Sequence, residues 1–256
     1  MRYQGLFLNK HLMQNKIGME QTKDTCWFNS VINNFFLSEY CYEFFMNKYL
    51  KESKYFEPNS PKYHFYNYFQ MYRKKSSPKN LFSKTWRSIK TRNDAECLIN
   101  KLGIREPGWL KDPTFHSHII LERILPIIMD KSELESFIFL VTHKIDKDLL
   151  EIREAPPKGF QLDHVVITIY YNDLEGGGGG HGIAGYRCND CYYIYDSNFS
   201  KSYEIDWRYR KNVIAHLAKK YRYAWGKDVH IIVGYSYICY TRVKNNQSIN
   251  KNGKTI

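Results

Sequence analysis

A cysteine at a helix start is the first residue whose type and position point to chemistry. Cys26 follows the polar segment 21–25 and opens an amphipathic helix predicted from Cys26 to about Ser38, with Asn29, Ser30, Asn33 and Asn34 on its polar face. The helix dipole and the free N–H groups of a first turn lower the pKa of a thiol and favour its thiolate as a nucleophile. The alternative is that Cys26 is a buried small hydrophobic residue, as free cysteines commonly are.

A histidine and an aspartate flank a predicted β-hairpin far along the chain. Its strands are Gly182–Arg187 and Tyr192–Tyr195, joined by a turn at Cys188–Cys191. In an antiparallel hairpin, the residue opening the first strand lies near the residue closing the second, so we expect His181 beside Asp196. A carboxylate there fixes the imidazole tautomer, so that the other ring nitrogen can face a thiol. Taken singly, each residue could equally be a surface histidine or part of a turn.

Two further polar residues could complete such a site. Gln21 stands five residues before Cys26 and could donate to an oxyanion beside the Cys26 N–H. Asn198 follows Asp196 by two residues and is a second candidate for orienting the histidine. We therefore assign Gln21 and Asn198 supporting roles.

Five consecutive glycines precede the histidine directly: Gly176, Gly177, Gly178, Gly179 and Gly180. Glycine restricts the backbone little, so the run is predicted to form a flexible lid over the site. A tolerant surface loop of filler glycines is the alternative. The run lacks the Gly-Lys-Ser/Thr ending of a phosphate-binding loop and leads into a strand, which argues against phosphate binding.

The two segments together resemble those of papain-like cysteine peptidases. Residues 25–30 (TCWFNS) are similar to the cysteine box of ubiquitin-specific proteases, and His181 with residues 192–198 (YYIYDSN) resembles their histidine box, including divergent versions in large DNA viruses. The resemblance implies a papain-like fold with Cys26 as nucleophile, His181 as general base and Asp196 as orienting acid. It implies hydrolysis of peptide or isopeptide bonds without a cofactor or metal.

The same resemblance implies the partners and the setting. The substrate would be ubiquitin or a ubiquitin-like protein, with a viral precursor protein as the alternative. The enzyme would act in the host cytoplasm or be packaged in the virion.

The order of predicted elements is helices first and strands later, which is typical of an α+β fold. We expect one domain over residues 1–244, with a helical half at about 1–130, a sheet half at about 131–244 and a disordered basic tail at 245–256. The other predicted helices are Tyr42–Leu50, Tyr63–Tyr72, Asp94–Leu102, Ser117–Met129 (ended or kinked at Pro126) and Trp207–Tyr221. The other predicted strands are Phe137–Val141, Val165–Tyr171 and Val229–Tyr240.

The positive charge is concentrated in one insert-like segment. The chain carries a formal charge of +12, and Lys51–Arg92 holds eleven Lys and Arg against Glu52 and Glu57. Such a segment could contact nucleic acid or acidic proteins, and its part Tyr63–Lys75 could stack on single-stranded bases. The rival function is therefore a virion or nucleic-acid-associated protein that keeps the fold without catalysis. The Asn- and Lys-rich composition could also reflect an AT-rich genome.

Composition excludes several classes of protein. Hydrophobic residues make up 43% of the chain, which rules out intrinsic disorder, and no apolar run is long enough to cross a membrane. The N-terminal residues lack the apolar core of a secretory signal, and the six scattered cysteines indicate reduced thiols. Cys188 and Cys191 have zinc-knuckle spacing, which would need ligands such as Cys97, Cys239, His164 or His230 to be complete.

Overall fold

The computed structural model describes residues 18–19, 25–75, 94–104, 117–141, 152, 156–173, 178–199, 201–225 and 229–243. The described helices are α1 (Cys26–Leu37), α2 (Glu39–Glu52), α3 (Pro61–Lys75), α4 (Asp94–Leu102), α5 (Ser117–Ile128), α6 (Lys131–Leu134) and α7 (Arg210–Trp225), with a 3₁₀ turn at Ser53–Tyr55. The described strands are β1 (Phe137–Val141), β2 (Phe160–Asp173), β3 (Gly178–Cys188), β4 (Cys191–Asp196), β5 (Lys201–Glu204) and β6 (Val229–Arg242). Within these residues, no helix is both long and apolar enough to span a membrane.

The strands form one antiparallel sheet in the order β1-β6-β2-β3-β4-β5. Its tightest connection is the predicted hairpin between β3 and β4. Asn189 and Asp190 there have φ values of 48° and 60°. Two successive left-handed residues suit a short hairpin turn, and Asn and Asp tolerate that conformation better than most residues. The hairpin brings the two ends that bear His181 and Asp196 together.

Side chains alternate across each strand, so successive residues lie on opposite faces of the sheet. A separate core covers each face. On β2, Val166 joins the core formed with helices α1 to α5, while its neighbours Val165 and Ile167 join a second core. The second core includes Trp207 and the α7 residue Leu217. The predicted α+β class is confirmed, and the sheet has a helical layer on one face and α7 on the other.

Helix α1 is buried on nearly all sides, which differs from the predicted amphipathic helix with a polar face. Asn33 and Asn34 are each 0% exposed, as is Asn29. The Asn33 side chain accepts from Met19 N at 2.6 Å and donates to Met19 O at 3.1 Å, and the Asn34 amide donates to Val165 O at 2.6 Å. These amides face backbone groups of neighbouring segments instead of water. The polar face of α1 is thus an interior surface, and α1 is a central helix.

Most predicted elements are confirmed, and the differences have local reasons. Helix α5 continues to Ile128 with Pro126 inside its last turn, so the helix ends two residues after the proline. The short strand β5 was not predicted, since four residues give almost no periodic signal. The predicted disordered tail, 245–256, lies outside the described residues. The division into one domain stays a prediction.

Candidate active site

Cys26 is the first residue of α1, and its sulfur lies among hydrogen-bond donors. The Thr25 carbonyl accepts the first helical hydrogen bonds, at 2.9 and 3.1 Å, so the helix begins at the cysteine. The thiol is hydrogen-bonded to the His181 side chain and to the backbone N–H groups of Trp27 and Gly182. The predicted position of the sulfur at a helix start is therefore confirmed, and β3 supplies the histidine.

A glycine allows the strand to approach the helix this closely. A Cβ atom on Gly182 would lie 3.0 Å from Ser30 Oγ and 3.1 Å from the Cys26 carbonyl oxygen. Contacts this short force a neighbour to move, and here one neighbour is helix backbone. Because residue 182 is glycine, β3 comes close enough to α1 for His181 to reach Cys26. This role was not predicted from the sequence, although the glycine follows the histidine directly.

The predicted meeting of His181 and Asp196 is also present. The His181 Nε2 atom lies 2.8 Å from Asp196 Oδ1, and the two residues are 5% and 1% exposed. The β3–β4 pairs run from Cys188–Cys191 to Ala184–Tyr195, which places His181 and Asp196 just past the last pair, at the open end of the hairpin. Because Asp196 occupies Nε2, the other ring nitrogen, Nδ1, is the one left for the thiol.

The Asp196 carboxylate is held by two further donors. The Asn198 backbone N–H donates to Oδ1 at 2.9 Å, and the Tyr221 hydroxyl donates to Oδ2 at 3.0 Å. The Asn198 side-chain amide lies 3.4 Å from His181 Nε2, farther than the carboxylate oxygen. Asp196 is therefore the principal partner of His181. Asn198 supports it through the turn that follows β4.

The electrostatics favour an ion pair between the thiol and the imidazole. Burial raises the pKa of Cys26, but the hydrogen bond and charge of His181 and the two backbone N–H groups lower it below its usual value of 9.0. Burial lowers the pKa of His181, but hydrogen bonds with Asp196 and Cys26 outweigh this and raise it from 6.5 to about 9. A lowered thiol pKa beside a raised imidazole pKa shifts the pair toward thiolate and imidazolium.

Tyr221 is a residue of the site that the sequence analysis missed. It is 1% exposed and lies on α7, on the face of the sheet opposite α1. Its ring packs near those of Tyr171 and Phe199, with centroid distances of 6.1 and 5.8 Å. The helical pattern of Trp207–Tyr221 predicts which side of the helix Tyr221 lies on, but not which residue its hydroxyl contacts. The contact with Asp196 depends on how α7 packs on the sheet.

The predicted glycine lid needs a correction. Gly178, Gly179 and Gly180 belong to β3 and pair with Asn172, Tyr171 and Tyr170 of β2, so these three glycines form a strand and not a loop. The cause is the length of β2, which continues to Asp173 and gives the glycines a pairing partner. Gly176 and Gly177 lie outside the described residues.

The remaining site predictions have different outcomes. Gln21, the predicted oxyanion donor, lies outside the described residues. Cys188 is buried in the helical core and Cys191 is half-buried. Among the described residues, neither belongs to a group of three or more potential metal ligands. The zinc-knuckle alternative therefore has no supporting ligands in that part of the chain.

The structure also bears on the aromatic part of the basic segment. Four rings of α3 face the core and leave no stacking platform of their own, being at most 5% exposed: Phe65, Tyr66, Phe69 and Tyr72. Tyr63–Lys75 therefore belongs to a helix that packs one of its faces against the core. Residues 76–93 lie outside the described part.

No protein-family model matches this chain, and no curated protein matches it either. A function is therefore inferred from the geometry of the site and from the resemblance of its two motifs.

Proposed function

We propose that the protein is a papain-like cysteine peptidase with Cys26 as nucleophile, His181 as general base and acid, and Asp196 as the orienting group. The observation that carries the proposal is the hydrogen-bonded series of thiol, imidazole and carboxylate, which begins at the first residue of a helix. A central helix packed on an antiparallel sheet supports the papain-like fold. The motif resemblance supports the same assignment from the sequence.

The reaction follows from the positions of these groups. The Cys26 thiolate attacks the carbonyl carbon of the scissile bond, and we expect the Cys26 N–H to donate to the resulting oxyanion. The His181 imidazolium gives its proton to the leaving amine, and a thioester with the acyl part of the substrate forms. His181, now neutral, takes a proton from water, which attacks the thioester and releases the acid and the thiolate. Asp196 holds the ring in position throughout.

The substrate we propose is the C-terminal tail of ubiquitin or of a ubiquitin-like protein. The similarity of residues 25–30 to the cysteine box of ubiquitin-specific proteases supports this choice. A viral precursor protein is the alternative substrate for the same chemistry. Both substrates require an extended backbone at Cys26.

A ubiquitin probe with a C-terminal electrophile tests the chemistry and the substrate together. Intact mass measurement should show one covalent adduct on the wild type and none on Cys26→Ser. Cys97→Ser is the matched control, because Cys97 is exposed on α4 and should keep the adduct. An adduct that persists in Cys26→Ser would contradict the assignment of the nucleophile.

Thiol labelling separates the chemistry from the choice of substrate. We expect limiting iodoacetamide at about pH 6.5 to modify Cys26 before the other cysteines, because a thiolate reacts faster than a thiol. Peptide mass mapping identifies the site. Selective labelling of Cys26 without a ubiquitin adduct would favour the precursor substrate, whereas first labelling of Cys188 or Cys191 would contradict the nucleophile.

A further inference from the structure

A second group of reactive side chains lies in the core, apart from the candidate active site. Cys41, on the first turn of α2, faces Asp163 and His164 of β2, and all three are at most 3% exposed. The Cys41 sulfur lies 3.6 Å from Asp163 Oδ2 and 3.8 Å from His164 Nδ1. The carboxylate oxygen and the imidazole nitrogen are 2.7 Å apart. A thiol, a carboxylate and an imidazole thus converge on one point.

A β-bulge explains how two consecutive strand residues reach the same point. Neighbouring residues of a regular strand face opposite sides of the sheet. On β2 the register with β6 shifts between Leu162 and His164, so Asp163 is an extra residue without a partner of its own. Both Asp163 and His164 consequently contact Cys41. Bulges re-aim side chains and are frequent beside functional sites.

The charges of the group favour a bound cation. Asp163 Oδ2 takes a hydrogen bond from Ser38 at 2.6 Å and lies against both His164 and Cys41. Burying a carboxylate costs several kcal/mol unless an opposite charge accompanies it. A cation at the point where the three side chains converge would supply that charge.

The ligand atoms and their spacing suit zinc. Zinc binds thiolate sulfur at about 2.3 Å and imidazole or carboxylate atoms at about 2.0–2.2 Å, in a tetrahedron. Those lengths place a sulfur roughly 3.5 Å from each nitrogen or oxygen ligand, close to the distances of 3.6 and 3.8 Å here. The 2.7 Å separation of His164 and Asp163 is a hydrogen bond, which would open by about half an ångström around an ion. A soft thiolate ligand disfavours magnesium and calcium.

A fourth ligand would have to come from outside this group, and the neighbouring strand offers a cysteine. Cys239 on β6 is paired with His164 in the sheet and is 0% exposed. Its thiol lies 3.7 Å from the Tyr240 carbonyl, a weak contact that a rotation of the side chain would release. Cys41 and Cys239 belong to the same buried core, and the Cys239 sulfur lies outside the group of three whose ligand atoms are all within 4.8 Å of one another.

We propose that Cys41, Asp163, His164 and Cys239 form a structural zinc site that joins α2 to the sheet. Ser38, the N-cap of α2, would keep Asp163 in position through its hydrogen bond to Oδ2. The proposal does not depend on the proposed peptidase function, because none of these residues belongs to the candidate active site.

The test is zinc binding by the full chain. Cys26→Ser serves as the background, since the thiol and imidazole of the candidate active site could also hold zinc. After exposure to excess Zn²⁺ and removal of loosely bound metal, native mass spectrometry should show one ion per folded chain. Replacing Zn²⁺ with Co²⁺ should give the intense visible bands of tetrahedral coordination and the near-ultraviolet thiolate band. Absence of both the ion and the bands in the folded Cys26→Ser protein would overturn the proposal.

Substitutions then identify the ligands. Cys41→Ser and Asp163→Asn in the same background should each weaken zinc binding by tenfold or more, as loss of a ligand does, and remove or shift the cobalt bands. Cys188→Ser is the matched control, because it is a buried cysteine that lies outside the group. Unchanged binding in Cys41→Ser, or loss of binding in Cys188→Ser, would contradict the site. A cobalt thiolate band unchanged in Cys239→Ser would exclude Cys239 as the fourth ligand.

Discussion

The charge of Asp196 should control how much of the Cys26 sulfur is thiolate at neutral pH. Asp196→Asn keeps an oxygen that can accept from His181 Nε2, so the ring keeps a hydrogen-bond partner while the negative charge is lost. Without that charge the imidazolium is less stable, and its proton returns to the thiol. We therefore expect the pKa of Cys26 to rise and the pKa of His181 to fall.

The size of the effect follows from the pKa of His181. The difference between 6.5 and about 9 corresponds to about 3 kcal/mol in favour of the charged ring. The hydrogen bonds and charges of Asp196 and Cys26 produce this difference against the cost of burial. If Asp196 supplies half of it, its loss lowers the equilibrium constant for forming the thiolate–imidazolium pair by roughly tenfold. Hydrolysis should fall further, toward the roughly 10⁴-fold loss of the comparable serine-triad variant, because orientation also suffers.

The assay is the rate of Cys26 alkylation by iodoacetamide between about pH 5 and pH 10, followed by peptide mass mapping. Because the thiolate reacts, the rate rises with pH through the pKa of the thiol, and in Asp196→Asn this rise should move to higher pH. Asp190→Asn is the matched control, since it removes an exposed carboxylate that pairs with Arg187 in the hairpin turn. An unchanged pH profile in a folded Asp196→Asn protein would refute the reasoning.

Two further predictions use the surroundings of the site. Tyr221→Phe removes one hydrogen-bond donor to Asp196 and should lower kcat by about fivefold to tenfold with little change in KM. Steady-state hydrolysis measures both constants, and a wild-type kcat in the variant would contradict the prediction. Gly179→Ala should lower the thermal midpoint more than Gly180→Ala, because a Cβ at 179 would lie 2.6 Å from the Tyr171 hydroxyl whereas one at 180 meets nothing closer than 3.7 Å. Equal midpoints in thermal melts would contradict this packing.

Local patterns predicted the parts of the site that depend on one element at a time. The helix at Cys26 followed from its apolar period and the polar segment before it. The meeting of His181 and Asp196 followed from the geometry of a hairpin, because a tight turn fixes which residues face each other. These predictions needed no knowledge of how the helix packs on the sheet. The family resemblance added roles for the same residues.

Contacts between distant elements could not be predicted in this way. The sequence predicted a polar face on α1 without its surroundings, and Asn33 and Asn34 of that face are buried because backbone groups of other segments bind their amides. The glycines before His181 were interpreted as a loop, yet β2 is long enough to pair with Gly178, Gly179 and Gly180, which therefore belong to β3. In both cases the residue type permits two environments. The partner that decides between them is supplied by another part of the chain.

The group around Cys41 is a further contact that local sequence patterns could not predict. His164 was considered only as a ligand for Cys188 and Cys191, because strand alternation gives no reason to place it beside Asp163. A strand of period two separates adjacent side chains, and the bulge at Asp163 reverses that separation for one residue pair. Metal ligands are recognised in a sequence by their spacing, but this spacing has meaning only after the bulge is known. A cluster assembled at a register shift therefore has no sequence motif, and direct measurement of bound zinc tests whether this one holds a metal.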